Sequence, residues 1–257
     1  MISGLYPAFQ PTSYPAVPGL EGVAQVVEVG KSVKSIKTGQ RVVIVPAKSQ
    51  KGITKEGTWT QYGVYSEENL FVVPNNVPDE IAAQAFINPV TAYGLLDKIN
   101  APKGEYIIQT AAASVLGRIL IQFAKSRGIK TINLVRRGKG AYGAVDTVGG
   151  KIGLILSHSV KDEGLILLYG GLGGLEVSVS TVELIFRNIH YTGFYLTKYV
   201  IDLDKEEFRK IFNEVFDLLN NGFKPFTGDK YPLDQVSDAI HQSLKPGRGG
   251  KVLLVHN

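Results

Sequence analysis

One segment near the middle of the chain constrains the fold more than any other; it reads YIIQTAAASVLGRILIQFAKSRGIKTINLVRR. A short apolar run, Tyr106–Gln109, leads into a turn of small residues, Thr110–Ser114. Apolar residues then recur at helical spacing over Val115–Arg127, and a second apolar run occupies Thr131–Val135. This order predicts a strand, a helix and a second strand parallel to the first, the repeating unit of a doubly wound α/β sheet.

The sequence on either side of residue 90 has a different character. Before it, three short runs bounded by Gly and Pro predict a β-rich region; they are Val23–Val29, Arg41–Val45 and Gln61–Tyr65. After it, three further apolar runs continue the parallel sheet, and a helix of about four turns follows them; they are Gly143–Val148, Leu165–Tyr169, Tyr191–Leu196 and the helix Lys205–Asn220. The fold class is therefore α/β, with a β-rich region before residue 90 and a parallel-sheet region after it.

Composition narrows the chemistry. The chain of 257 residues contains no cysteine and only four histidines, so thiolate metal sites and a cysteine nucleophile are excluded and no metal site is expected. No run of about 18 apolar residues occurs, which argues against a membrane span. The net charge of +5 is spread over scattered Lys and Arg, so we expect no nucleic-acid partner.

The small-residue turn is a candidate phosphate site. Backbone N–H groups and the helix dipole at such a turn bind a pyrophosphate, although Gly117 alone remains of the usual glycine fingerprint. Arg136 and Arg137 follow the second strand, where an acidic residue would bind the ribose of NADH and arginine accommodates the 2′-phosphate of NADPH. The residues therefore favour NADPH. An ordinary strand–helix turn followed by two surface arginines is the alternative.

Motifs along nearly the whole chain resemble one family, the zinc-free branch of the medium-chain dehydrogenase/reductases that contains the mitochondrial trans-2-enoyl thioester reductases. The matching motifs keep the family's order; they are ISGLYP, VPGLEGVAQVVEVG, GTW at Gly57–Trp59, FINPVTAYGLL, IIQTAAASVLGRILIQFAK, IKTINLVRR, VDTVGG, LLYGGL and TGFYL. In zinc-dependent members a histidine follows the Pro-Gly pair, whereas this chain has Leu20. The resemblance implies a GroES-like catalytic domain formed by residues 1–90 plus 197–257, joined to a Rossmann-type domain formed by residues 91–196.

The same resemblance implies an activity and a set of roles. Members reduce the C2–C3 double bond of an enoyl thioester, enoyl-CoA or enoyl-ACP, with NADPH in fatty acid synthesis. Tyr6, in the motif Gly4-Leu5-Tyr6-Pro7, matches the catalytic tyrosine that supplies a proton, and a phenol suits that role because it stays protonated at neutral pH. The positions that match cofactor-binding residues are Asn88, Ala113, Ser114, Val115, Leu116, Tyr169, Gly170, Gly171, Leu172, Phe194, Tyr195, Leu196 and Lys251, with Thr91 close to Asn88.

The resemblance also implies partners and a location. A homodimer is expected, formed through the strand near Gly193–Leu196. Family members with a transit peptide act in mitochondria; none is visible at the start of this chain, which leaves the cytoplasm as the alternative.

The chain departs from the family pattern in two places. The family has an N-terminal β segment before the position of Met1, so we expect the catalytic domain to be truncated at its start. Barely half a dozen residues separate the strand ending near Arg137 from the next strand, whereas parallel neighbours need a crossover of a dozen or more. We therefore expect the loss of a βα-type unit of roughly 30–40 residues near Arg137–Gly138, which leaves the second strand at a sheet edge and weakens NADPH binding.

Two alternatives remain open at this point. A zinc-free quinone or alkenal reductase has the same architecture and the same hydride donor but needs no tyrosine proton donor. A non-catalytic remnant that binds or scaffolds is the second alternative, because both departures remove parts of the expected active site.

Overall fold

The computed structural model describes residues 14–45, 57–133, 141–220, 227–245 and 250–256. The chain divides into two compact units, one formed by Met1–Ile87 with Val200–Asn257 and the other by Asn88–Tyr199. Among the described residues, no helix combines the length and the apolar character that a membrane span requires.

The described residues form ten strands and eight α-helices. The strands are β1 (Gly22–Gln25), β2 (Arg41–Ile44), β3 (Leu70–Val72), β4 (Tyr106–Gln109), β5 (Lys130–Asn133), β6 (Ala141–Asp146), β7 (Val160–Leu168), β8 (His190–Gly193), β9 (Thr227–Pro232) and β10 (Lys251–Val255). The helices are α1 (Asp79–Ala82), α2 (Ile87–Ile99), α3 (Val115–Ser126), α4 (Ile152–Ser159), α5 (Thr181–Phe186), α6 (Leu196–Asp202), α7 (Lys205–Asn220) and α8 (Val236–Leu244).

The first unit is built on the antiparallel sheet β1-β2-β3 and on helix α7. One face of α7 is apolar at helical spacing, and its buried residues include Phe208, Phe212 and Phe216. Phe71 of β3 stacks on Phe212, with ring centroids 4.0 Å apart, and meets Phe208 edge-on at 5.1 Å. Each buried ring contributes about 1.5–3 kcal/mol of apolar burial, so this cluster is a main stabilising contact of the unit. Strands β9 and β10 form a separate parallel pair beside α8.

The second unit is a five-stranded sheet in the order β5-β4-β6-β7-β8, and all four strand pairs are parallel. Its core includes Ile108, Ala144, Leu156, Val160 and Ile166, each 2% exposed or less. Strand β4, the first strand of the unit, therefore lies between β5, the next strand along the chain, and β6, the one after that. The order reverses between β4 and β6, and ligands of such sheets bind at the carboxyl ends of the strands around that point.

The predicted elements are present in this unit with shifted bounds. Strand β4 has the predicted bounds, and α3 ends one residue before the predicted Arg127. Strand β5 runs from Lys130 to Asn133, and residues 134–140 lie outside the described part of the chain. Strand β7 begins five residues earlier than predicted, at Val160. The charged residues 161–163 hide this start from an apolarity pattern, because they are exposed within the strand.

One prediction in the first unit is wrong: Gln61–Tyr65 is not a strand. The alternating apolar and polar residues there lie in an irregular segment that forms hydrogen bonds within itself. The Tyr65 phenol donates a hydrogen bond of 2.9 Å to the Gly57 carbonyl, and the Thr60 hydroxyl donates one of 2.8 Å to the Tyr62 carbonyl. These local bonds compete with sheet pairing, and β3 at Leu70–Val72 pairs with β2 instead.

Strand β5 lies at the edge of the described sheet. Its one paired neighbour in the described part of the chain is β4, and its two end residues are exposed. Seven residues, 134–140, connect it to β6 on the far side of β4. Parallel crossovers usually contain a helix and a dozen or more residues, so this connection is unusually short.

Candidate functional site

The turn between β4 and α3 has the geometry of an anion site. Ser114 caps α3: its hydroxyl oxygen accepts a hydrogen bond of 3.1 Å from the Gly117 N–H. Ala113 and Ser114 are exposed, and Val115 and Leu116 are half-buried at the first turn of the helix. All four sequence-predicted residues therefore meet at the positive end of a twelve-residue helix, where a phosphate is stabilised by backbone N–H groups and the helix dipole.

The remaining glycine of the fingerprint has a clear steric role. A Cβ atom on Gly117 would lie 2.7 Å from the Cα atom and the carbonyl oxygen of Ala112. Backbone atoms of a tight turn cannot yield to such a contact without moving the turn. Ala111 in the same turn has a φ of 50°, a left-handed conformation that costs an alanine about 1 kcal/mol. The turn is therefore held in a conformation that its own residues do not favour.

Sequence reasoning missed Asp146, at the carboxyl end of β6. The carboxylate is fully buried and its Oδ1 atom accepts hydrogen bonds from the Thr110 hydroxyl (3.1 Å) and from the N–H groups of Val148 (2.9 Å) and Gly149 (3.2 Å). Its Oδ2 atom accepts one from the Tyr191 hydroxyl at 2.7 Å. The signal in the sequence was the motif VDTVGG, an acidic residue that ends an apolar strand and precedes two glycines.

A glycine-rich loop follows β7 at the same edge of the sheet. Leu172 N–H donates to the Thr147 carbonyl (3.1 Å) and Gly173 N–H to the Val148 carbonyl (2.7 Å), so this loop lies against the loop that follows β6. A Cβ atom on Gly170 would lie 2.6 Å from the Thr147 hydroxyl oxygen. Gly171 continues the loop, and Leu172 is 78% exposed.

Tyr169 opens this loop with its hydroxyl oxygen buried. Among the described residues that oxygen has no hydrogen-bond partner of ordinary geometry. Burial raises the pKa of the Tyr169 phenol to about 12; Thr147 beside it opposes the rise and the charge of Asp146 adds to it. The phenol is therefore a neutral hydrogen-bond donor at physiological pH, available to a polar ligand.

Strand β8 and helix α2 contribute the last part of the edge. Phe194 N–H donates to the Leu168 carbonyl (2.8 Å), and the Phe194 ring lies so close to Gly94 that a Cβ there would be 2.8 Å away. Five residues on, Ile99 packs against Gly143 nearer the amino end of β6. Helix α2 therefore has its amino end on the side of the carboxyl edge, and its carboxyl end lies further from that edge. Tyr195 is 46% exposed and Leu196 begins α6.

Asn88, in the first turn of α2, is 7% exposed, and its Nδ2 atom has no partner among the described residues. Thr91 one turn later is also buried. A buried amide without a hydrogen-bond partner destabilises the folded state by about 1–3 kcal/mol, so such groups usually bind a ligand or a water molecule. The phosphate turn and the buried Tyr169 phenol at the carboxyl edge, together with the unpartnered Asn88 amide in the first turn of α2, fit a bound dinucleotide, with its phosphates at the turn and polar groups at the donors.

Motifs of the first unit also come together. Trp59 N–H donates to the Pro18 carbonyl (2.8 Å) and the Thr58 hydroxyl to the Glu21 carbonyl (2.8 Å), so GTW packs against PGLEG. Gly19 there has a φ of 105°, which glycine adopts without strain. Among the described residues, no three His, Asp or Glu side chains are grouped to hold a metal ion.

One other predicted residue belongs to the first unit. Lys251 is on β10 in the first unit, near Glu21. Burial raises the pKa of the Glu21 carboxyl, whereas Lys251 and a 2.9 Å hydrogen bond from the Ile87 N–H act in the opposite direction. Tyr6, Arg136 and Arg137 lie outside the described residues, so their predicted roles stay predictions.

Known proteins resemble this chain over most of its length. Residues 1–75 match the family model described as the alcohol dehydrogenase GroES-like domain. The mitochondrial enoyl-(acyl-carrier-protein) reductase of Dictyostelium discoideum is 33% identical over 275 residues, which cover 93% of this chain and 77% of that protein. The Homo sapiens enzyme of the same name is 32% identical over 292 residues, covering 99% of this chain and 76% of that protein.

Solved structures give the same picture of the fold. Escherichia coli quinone oxidoreductase complexed with NADPH has a TM-score of 0.80 and 25% identity, covering 98% of this chain and 86% of that chain. The Etr1p/NADP/crotonyl-CoA complex has a TM-score of 0.79 at 20% identity, covering 94% of this chain and 83% of that chain, and supports the fold alone.

These comparisons show the family. With 33% identity over most of the chain to an enoyl-(acyl-carrier-protein) reductase, a match to the GroES-like domain and the shared fold, the chain belongs to the medium-chain dehydrogenase/reductase family, in the branch of the mitochondrial enoyl-(acyl-carrier-protein) reductases.

Proposed function

We propose that this protein reduces the C2–C3 double bond of trans-2-enoyl thioesters with NADPH. The observation that carries the proposal is the identity of 33% over 93% of the chain to an enoyl-(acyl-carrier-protein) reductase. The second unit supports it, since it holds a phosphate turn and two unpaired buried donors. The protein is an NADPH-dependent oxidoreductase; the thioester is the proposed substrate.

Each part of the cofactor has residues that would hold it. The N–H groups of Ala113, Val115 and Leu116 would bind the pyrophosphate, since the Ser114 N–H donates to the Ala111 carbonyl at 2.9 Å. The side chains of Asn88 and Tyr169 would donate to polar groups of the nicotinamide half. Arg136 and Arg137 are proposed for the 2′-phosphate because a guanidinium matches phosphate geometry. When bound, NADPH supplies a hydride for C3 of the substrate.

A proton must also reach C2, and we assign it to Tyr6. A phenol with a pKa of about 10 is protonated at neutral pH, so it donates to the enolate oxygen or passes on a proton without a metal ion. Leu20, where zinc-dependent relatives have a histidine, agrees with this metal-free chemistry.

The proposal is tested with two substrates and one variant. Oxidation of NADPH is followed with a short trans-2-enoyl-CoA and, separately, with a benzoquinone. We expect turnover of the thioester, and Tyr6→Phe should lower kcat for it by about 10²-fold or more, the usual contribution of a general acid. Thioester turnover by Tyr6→Phe at the wild-type rate would exclude the assigned role of Tyr6.

A quinone reductase is the second candidate, because solved structures at 25% identity include quinone oxidoreductases. In that case the quinone is reduced, the enoyl-CoA is not, and Tyr6→Phe has little effect. A non-catalytic remnant is the third; it predicts that neither substrate is turned over and that NADPH at millimolar concentration does not saturate the protein.

We also propose a homodimer formed through β8. This strand is the second edge of the described sheet, and its unpaired side offers backbone groups to a symmetry mate. Helix α5 nearby has no buried residue, and Val182, Ile185 and Phe186 on it are 60%, 65% and 79% exposed. An apolar groove of about 560 Å³ lies between this region and β8, lined by Leu165, Val177, Val179, Leu184, Ile189, His190, Tyr191 and Thr192. A second copy would cover these residues.

The remaining proposals concern domains and location. Residues 1–90 plus 197–257 are proposed as the catalytic domain and residues 91–196 as the NADPH-binding domain. Mitochondria are the proposed site of action, because the curated relatives are mitochondrial enzymes.

A further inference from the structure

The Asp146 carboxylate connects three separate parts of the second unit. It accepts from Thr110 in the phosphate turn, from Val148 and Gly149 in the loop after β6, and from Tyr191 on β8. A carboxylate with four donors and no donor of its own acts purely as an acceptor. It lies at the end of β6, beside the point where the strand order reverses.

Thr110 is the direct link to the turn. Its hydroxyl donates to Asp146 Oδ1 at 3.1 Å and accepts from the Thr147 N–H at 2.9 Å, and the side chain is 1% exposed. The next residue is Ala111, which has a left-handed backbone conformation that is energetically unfavourable for alanine. A turn with glycine there would adopt this shape readily, whereas this turn needs support from outside itself.

We propose that Asp146 is a positioning residue for NADPH: by holding Thr110, it keeps the Thr110–Ser114 turn in the conformation that presents its N–H groups to the cofactor phosphates. The residue does not contact the cofactor in this role. The inference rests on the assignment of NADPH but not on the identity of the substrate that is reduced.

Four variants test the role. Thr110→Val removes the hydroxyl with little change in shape, and Thr110→Ser keeps it. Asp146→Asn keeps the acceptor Oδ1 for the turn but loses the charge; the Tyr191 hydroxyl can turn to accept from the new amide. Ser157→Ala is the matched control, because Ser157 is a fully buried hydroxyl of the same unit that bonds to the Leu154 carbonyl on α4, outside the network.

The readouts are the Kd for NADPH, from quenching of protein fluorescence well below each melting temperature, and the melting temperature itself. We expect the Kd to rise about tenfold in Thr110→Val, which removes the hydrogen bond, and by a smaller factor in Asp146→Asn, which keeps the acceptor but loses the charge that strengthens the bond. The Kd should stay within about twofold of wild type in Thr110→Ser and Ser157→Ala. The double variant Asp146→Asn/Thr110→Val should bind no more weakly than Thr110→Val alone, because both changes act on the same contact and Thr110→Val already removes it.

A Kd for Thr110→Val within about twofold of wild type overturns the inference, even if Asp146→Asn fails to fold. So does an equal loss of affinity in Ser157→Ala, which would show a general effect of stability. If the wild-type protein binds no NADPH, both the cofactor assignment and this inference are overturned. If the protein binds NADPH with the same Kd in the Thr110 and Asp146 variants as in wild type, the inference alone is overturned.

Discussion

The hydroxyl of Tyr191 donates a 2.7 Å hydrogen bond to Asp146, 45 residues earlier in the chain. Burial and the neighbouring carboxylate both raise the pKa of this phenol, so the donor stays protonated at physiological pH. The bond joins β8 to β6 across β7, which lies between them in the sheet. Tyr191 also lines the apolar groove beside β8, so one side chain contacts the proposed dimer surface and the network that supports the phosphate turn.

Gly117→Ala should destabilise the protein and weaken NADPH binding. The added methyl group would meet Ala112 backbone atoms at 2.7 Å, and overpacking against backbone costs about 1–3 kcal/mol. Urea unfolding and an NADPH titration measure the two effects. Gly30→Ala is the control, since a Cβ there lies 3.9 Å from the nearest atom, a Val33 methyl group. Equal stability of the two variants would contradict the steric role of Gly117.

The protein should lose stability in alkaline solution through Tyr169. Its pKa is about 12 in the folded protein and about 10 when unfolded, so the unfolded state releases the proton first as the pH rises. The contribution is complete below pH 10 and falls by about 1.4 kcal/mol per pH unit between the two values. Tyr169→Phe should make this part of the curve of unfolding free energy against pH less steep, while Tyr191 and Tyr199, whose pKa values are also raised by burial, retain the rest of the slope. Tyr62→Phe, at a side chain that is 71% exposed, is the control that retains the wild-type curve.

Glu67 should contribute to the acid sensitivity of the first unit. One carboxylate oxygen accepts from the Ser35 N–H (3.0 Å), the Ser35 hydroxyl (2.7 Å) and the Lys34 N–H (3.0 Å), which lowers the pKa of Glu67 to about 2. Because the folded-state pKa lies below the ordinary 4.5, this stabilisation is present above that value and is lost as the pH falls towards 2. Glu67→Gln should reduce the pH dependence in this window, measured by urea unfolding; Glu80, whose pKa is lowered by Lys230, retains part of it. If Glu68→Gln, at the neighbouring surface carboxylate, reduces it equally, the assignment is wrong.

Phe186→Asp should convert the proposed dimer into a monomer without unfolding it. The side chain is 79% exposed within one chain, so a charge costs the isolated chain little but opposes burial against a second copy. Light scattering coupled to size exclusion gives the mass, and circular dichroism reports the fold. Leu244→Asp, at a 70% exposed residue of α8 in the other unit, should leave the mass unchanged. A wild-type protein that is monomeric at all concentrations would rule out the dimer.

The sequence correctly predicted the elements in which apolar residues recur at a regular spacing and in which a terminating residue marks the end. Helix α7 has the predicted bounds because its apolar face is regular and Asn221-Gly222 follow it. Helix α2 was missed as an element: nine of its thirteen residues are buried, Asn88 and Thr91 among them, so no amphipathic period marks it. Its Pro89 lies in the first turn, where proline is compatible with a helix.

The site divides in the same way. The phosphate turn is a continuous stretch of sequence, so its residues could be predicted from their order. Asp146, Thr110 and Tyr191 are separated by dozens of residues and meet because β4, β6 and β8 lie in one sheet. Sequence spacing does not predict contacts between residues so far apart, and a single aspartate after an apolar run is more often a surface residue.

The exposed position of β5 has a consequence for how the protein behaves in concentrated solution. On the side away from β4, its backbone groups have no strand partner in the described part of the chain and form a short template for another chain, and a charged residue on such a strand discourages that addition. Lys130 opens β5, with its ammonium 4.8 Å from the centre of the Tyr106 ring. Since dissolved ions screen exposed charges within about 10 Å at 0.1 M ionic strength, purification in high salt would remove this protection and favour self-association.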